Sequence, residues 1–253
     1  MKNKKVDIFI LFLCIALSTF LVFRLSANLI LSTALFFGLP ALWLSIRMPQ
    51  RILKSAIFAI LFSIPFLFII DHIAALDGAW HVPTQFPFRL LGTISLEDLF
   101  IGLGLAYFMA IFYEYFFSSQ KRILGKKMKY FIGGAYCALL LFFIFFFFTP
   151  SLLYIPYAYM TLGIVLFIIP ITLFLFRSPQ SLFQFFKTIP YFFIFFMAYE
   201  VVGLRLGHWS FPGEHFIGWV SMFGITIPFE ELLFWIILSP IAFFSYYEFF
   251  NND

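Results

Sequence analysis

Charge is scarce in this chain. Asp, Glu, Lys and Arg make up 11% of its 253 residues, less than half of the roughly 25% usual in a soluble domain. Cysteine is nearly missing too. Cys14 and Cys137 stand alone in separate apolar runs, which excludes a disulfide framework and a thiolate metal site. The histidines, His72, His81, His208 and His215, share no metal-ligand spacing. There is no G-x-G-x-x-G loop, no aspartate-rich diphosphate motif, no H-E-x-x-H, and no buried Lys suited to a retinal Schiff base. Neither a metal nor an organic cofactor is expected.

Hydrophobic residues are abundant, at 63%, and 43 residues are Phe. They fall in runs of about 20, the length that spans a bilayer core as a helix. The runs do not alternate polar and apolar residues, as barrel strands would. The expected fold is an all-α integral membrane protein with eight transmembrane helices, near 7–23, 28–46, 54–76, 95–117, 129–148, 154–176, 183–206 and 225–250.

The two halves match at an offset of 129 to 133 residues. Pro40 answers Pro170, and Arg47-x-Pro49-Gln50 answers Arg177-x-Pro179-Gln180 (177 − 47 = 130). Asp71 answers Glu200, Gly78-x-Trp80-x-x-Pro83 answers Gly207-x-Trp209-x-x-Pro212, and Glu97-Asp98 answers Glu230-Glu231. Composition bias can pair Phe with Phe, but it does not set Trp, Pro, Gln and acids in one order twice. The expectation is two four-helix repeats, 1–120 and 121–253. An even helix count makes them run parallel about an axis along the membrane normal. Met1 to Ala27 could pass for a signal peptide, but the repeat needs this segment as the partner of the fifth helix.

Thirteen of the 16 Lys and Arg lie at the N-terminus or in alternate connections, leaving Arg24, Arg89 and Arg205 for the other side. This is the positive-inside pattern, and not a nucleic-acid patch. It places both termini in the cytoplasm of a multi-pass cell-membrane protein. The Trp loops, 77–94 and 207–224, then face outward.

An ionisable side chain at the centre of a membrane helix costs about 2.5–3.5 kcal/mol on insertion scales, so intramembrane acids point to function. Asp71 with Glu97 and Asp98, and Glu200 with Glu230 and Glu231, form two expected clusters. Glu230 and Glu231 are expected about two turns inside the last helix. The bland reading is that such carboxylates lock helices together through hydrogen bonds. Glu114 and Glu248, beside tyrosines near the cytoplasmic ends, read as interfacial residues. Two adjacent buried carboxyl groups favour one shared proton over two charges, which supplies a proton donor and a base in one place. Ring faces stabilise cations where water is excluded, and Phe229, Phe234 and Trp235 surround the pair on the last helix. Trp80 and Trp209 stand in the loops above.

Pro228-Phe-Glu230-Glu231-Leu-Leu-Phe234-Trp235 resembles the P-x-E-E-x-x-F-F-like motif of the lycopene cyclase domain family, the small flavin-independent membrane type that also occurs as a fused duplicate. Trp replaces Phe only at the last position, and Glu200 and Trp209 fit as well. The first half departs, reading Ser95-Leu-Glu97-Asp98-Leu-Phe100, so the second is read as the working half. The resemblance implies an isomerase of carotenoid biosynthesis. An acid protonates the terminal double bond of a linear carotenoid, a ring closes on the cation, and a base removes a proton, with no electron cofactor consumed. It implies Glu230 as acid, Glu231 as its partner and Glu200 as base, with Glu97, Asp98 and Asp71 as their first-half counterparts. Its partners would be a lipid-soluble polyene, membrane lipids and other carotenoid-pathway enzymes. Two other classes fit the same residues, a proton-coupled carrier and a carotenoid-binding protein without chemistry. An E-E-x-x-x-R membrane protease does not, because Trp235 stands where Arg is needed.

Overall fold

The computed structural model describes residues 3–118 and 128–251. The expected repeat boundary at 120/121 and most of the basic connection before Lys129 lie outside them. Helices α1 (Lys4–Leu25), α2 (Leu29–Arg47), α3 (Pro49–Leu76), α4 (Leu96–Phe116), α5 (Lys129–Phe148), α6 (Ala158–Arg177) and α8 (Glu231–Phe250) are long and apolar enough to cross a membrane. With the bent pair α7 (Pro179–Phe186 and Ile189–Arg205, 49° apart) counted as one, the described residues hold eight such spans at most. The bend has a local cause: Pro190 has no N–H to continue the ladder. A multi-pass membrane protein is compatible with this architecture.

Burial sorts the helices into a centre and a periphery. More than half of α4 and α8 is buried, but only 11% of α5, whose Phe147 and Phe148 are largely exposed. Helix α1 packs on α7, α5 packs on α3, and α4 meets α8. The starts of α2 and α4, both in the first half, carry side-chain caps. Asn28 accepts from the N–H of Leu31 at 2.9 Å, and Ser95 and Asp98 form a capping box.

Several backbone features recur at the spacing of the sequence matches. Wide π-helical turns interrupt α2 at Ala34–Gly38 and α6 at Ile164–Ile168. Gly78 and Gly207 both have positive φ, as do Leu91-Gly92 and Phe223-Gly224. His81 and Ser210 exchange two backbone hydrogen bonds, at 2.8 and 2.9 Å, which join the two Trp loops antiparallel.

The start of the last helix differs from expectation. Ile225–Pro228 is a strand, β2, paired antiparallel with β1 (Trp219–Met222). Phe223 and Gly224 form the two-residue turn with positive φ at both positions that a tight hairpin demands. The β-branched Ile225, Thr226 and Ile227 suit a strand. Helix α8 therefore begins at the acids, and Glu230 and Glu231 lie in its first turn instead of two turns inside.

The opposite end of the bundle gathers charge. Asp7 pairs with Arg47 at 3.1 Å and accepts from Trp43 and Tyr115. Glu114 pairs with Lys54 at 2.9 Å and Arg51 at 3.2 Å, and Tyr247 donates to it at 2.8 Å. Two expectations are corrected here. Glu114 is fully buried within the protein, and Lys54, expected in a basic connection, is a buried lysine. Each is tolerated because the other is there. Glu114→Ala is expected to cost roughly 3–5 kcal/mol by stranding a buried cation, against about 1 kcal/mol for Tyr247→Phe. Thermal and denaturant unfolding in detergent measures both.

Candidate functional site

The loops position the acids. Each Trp follows its helix-end acid by nine residues, and the positive-φ Gly between them turns the chain back. Trp209 Nε1 thereby donates to Glu200 Oε1 at 2.8 Å, and Trp80 hydrogen-bonds Asp71. Trp209 fits because residue 203 is Gly: a Cβ there would lie 2.0 Å from the indole.

The neighbouring acids divide into two kinds. Glu97 and Glu230 turn to the loops. Glu97 accepts from the N–H of Gln85 at 2.6 Å and from Thr84 at 2.9 Å. Glu230 accepts from the N–H of Ile217 at 2.7 Å, while its buried Oε2 has no partner among the described residues. Asp98 and Glu231 turn inward, and with Asp71 and Glu200 they line a single cavity of about 130 Å³. The two expected three-carboxylate clusters thus become one site of four, with Glu97 and Glu230 outside its wall.

The inward pairs are not alike. Asp98 Oδ2 accepts from Ser95 Oγ at 2.6 Å and from the Ser95 N–H at 3.2 Å, so one oxygen is spent on the helix cap. Pro228 at the matching place in the second half offers no hydroxyl and no N–H. Glu231 instead meets Glu200, and Tyr159 donates to its Oε2. A hydrogen bond between two carboxyl groups needs a proton on one of them. The Glu200–Glu231 contact therefore calls for at least one proton on the pair.

The rest of the wall is apolar and aromatic. Trp80, Trp209, Trp235, Phe66 and Phe167 line it, and Tyr159 meets Trp80 edge-on at 5.2 Å. Two expected wall residues lie elsewhere. Phe229 is 38% exposed at the helix start. Phe234 is buried behind the wall, stacked on Phe167 and filling the space that a side chain at Gly163 would take. Tyr159 was missed by sequence reasoning. Its signal was a hydroxyl at the head of an apolar run, at the depth where the match to the first half places the acids. His208 is a buried loop residue. Burial lowers its pKa, and its Nε2 lies 2.9 Å from the Ala27 carbonyl, tying the second loop to the first half. Among the described residues, no three His, Cys, Asp or Glu side chains are arranged to hold a metal ion.

Gly203→Ala is expected to expel the Trp209 ring and break its bond to Glu200, at a cost of about 1–3 kcal/mol. Lower unfolding resistance and a red-shifted Trp emission, the latter absent from a Trp209→Phe background, are the measurements. No family model, curated protein or solved structure matches the chain.

Proposed function

We propose that this chain closes the end group of a linear carotenoid by acid–base catalysis inside the membrane, as its resemblance to the lycopene cyclase domain implies. The observation that carries the reading is the Glu200–Glu231 pair, two buried carboxyl groups in contact, facing a cavity walled by Trp80, Trp209 and Trp235. The cavity is close in size to an engineered one of about 150 Å³ that binds benzene. It would take a ring-sized end group and leave the rest of the polyene in the bilayer.

In this reading the proton between Glu200 and Glu231 passes to the terminal double bond, leaving a tertiary cation. Trp faces stabilise that cation, an effect worth about 2 kcal/mol when water is excluded. An internal double bond attacks it, and its electron pair becomes the new ring C–C bond. A carboxylate then takes a ring proton, and the electrons of that C–H bond become the ring double bond. One proton enters and one leaves, so the reaction is redox-neutral. The proton donor moves from Glu230, the residue favoured by the motif, to Glu231, because Glu230 is turned to Ile217. Phe66 and Leu166, both half-buried in the wall, offer a way in from the lipid side.

We infer further that eight spans form two parallel repeats, 1–120 and 121–253. The recurring π-turns, positive-φ turns and Trp–acid bonds support this, and the His81–Ser210 bridge would lie on their axis. Both termini then face the cytoplasm, as the Lys and Arg distribution implies. Single cysteines at Asn3 and Glu214, in a background without Cys14 and Cys137, are expected to label only from inside and only from outside, respectively. Gly213 is unsuitable for this purpose, since a Cβ there would lie 2.8 Å from the Asp77 carbonyl oxygen.

Glu231→Gln is expected to lower ring formation by about 10²–10⁴-fold, the usual worth of general acid catalysis. Glu230→Gln keeps the acceptor for Ile217 and is expected to stay within about tenfold of the parent, since it removes no proton donor from the cavity. Pigments extracted from lycopene-fed cells give the readout. A carrier or binding protein would leave the linear pigment unchanged in every strain, wild type included.

A further inference from the structure

Beside the apolar cavity lies a second, smaller pocket of about 80 Å³. The two share a wall made by Asp71, Trp80, Val82 and Asp98. The second pocket is otherwise lined by Ala75, Gly78, His81, Arg89, Thr93 and neighbours at the loop end of the bundle. His81 and Pro212 on its rim are exposed. Arg89 crosses it, donating to the Thr93 carbonyl at 2.8 Å and the Val82 carbonyl at 2.5 Å. His72 meets the Thr93 hydroxyl at 2.7 Å. The titratable and charged groups facing the pocket are thus Asp71, Asp98, His81 and Arg89, with His72 behind Thr93.

We propose that this pocket is the aqueous port of the site. Water in it exchanges protons with Asp71 and Asp98, whereas Glu200 and Glu231 reach only the apolar cavity. The site then has one wet acid pair and one dry pair.

Three observations carry the proposal. A buried water needs roughly 10–15 Å³ and two to four polar partners. The pocket exceeds that volume several-fold and offers two carboxylates, a hydroxyl and a guanidinium. Exposure sets Asp98 apart as well, since it is half-buried while Asp71, Glu200 and Glu231 are 9%, 2% and 5% exposed. The second half also has larger apolar side chains at two of the places that correspond to the pocket lining. At the sequence offset, Leu204 answers Ala75, Ile225 answers Thr93 and Ser221 answers Arg89. Ile225 is buried in the core and Leu204 packs against it. At two of the three places, a small or polar side chain thus gives way to a larger apolar one. The inference concerns proton access and holds whether or not the chain is a cyclase.

Cysteine accessibility tests it. Asp98→Cys and Glu231→Cys are made separately without Cys14 and Cys137, and treated with a small, water-soluble cationic methanethiosulfonate. The thiolate, which forms where water reaches, attacks the reagent's sulfenyl sulfur, making a mixed disulfide and releasing methanesulfinate. Asp98→Cys is expected to react at least about tenfold faster than Glu231→Cys, on the strength of its hydration. Adding Ala75→Leu, which installs the second half's side chain, is expected to slow Asp98→Cys to the rate of Glu231→Cys. Thr93→Cys and Ile225→Cys make the same comparison one layer further out, should the loss of the Asp98 cap unfold the protein. Equal rates within either pair, or an Asp98→Cys rate unchanged by Ala75→Leu, would overturn the proposal.

Discussion

A carboxylate inside a bilayer persists only if protein supplies the hydrogen bonds that water would otherwise give. Here the supply comes from two loops. Trp80 and Trp209 reach back to Asp71 and Glu200, and the N–H groups of Gln85 and Ile217 reach Glu97 and Glu230. The loops in turn are held to each other through His81 and Ser210. Loosening that bridge would leave several acids with poorer partners at once, so the loop end is one cooperative unit. The other end answers with a different device, a buried Glu114 set against Lys54 and Arg51.

Adjacent acids take opposite duties because they stand at a helix start. Consecutive residues there point about 100° apart. One of each pair therefore faces the loop it anchors and the other faces the interior. Geometry alone thus separates a loop-anchoring carboxylate from a cavity-facing one, and the choice of Ser95 or Pro228 sets the surroundings of the second. Ser95 ties Asp98 into a cap, whereas Pro228 offers no hydroxyl, and Glu231 meets Glu200 and Tyr159 instead.

Much of this was legible in the chain itself. The apolar runs gave the helices, and the paired acids and Trp residues named most of the site, because those residues are rare in such runs. The strand at Ile225–Pro228 was hidden, since a short β-branched stretch joined to an apolar helix has no distinct period. Which acid of each pair faces the cavity was hidden too. That depends on the helix start, and the start moved by about six residues once the hairpin was in place. Phe234 and Phe229 were misplaced for the same reason. Lys54 read as part of a basic connection and Glu114 as an interfacial residue, since nothing local to either one reveals a partner on another helix.

The wide turns in the helices carry a further consequence. The π-turn of α3, Leu67–Asp71, ends on one cavity acid, and that of α8, Glu231–Leu238, begins on another. Such a turn holds one residue more than the regular coil and is often found at functional sites. It is in effect an insertion absorbed without breaking the helix. The aim of Asp71 and of Glu231 is therefore set by helical phase as well as by rotamer. Were the extra residue deleted, the flanking segments would turn by about 100° relative to each other. Length within these two helices is thus as much a determinant of the site as the identity of its acids.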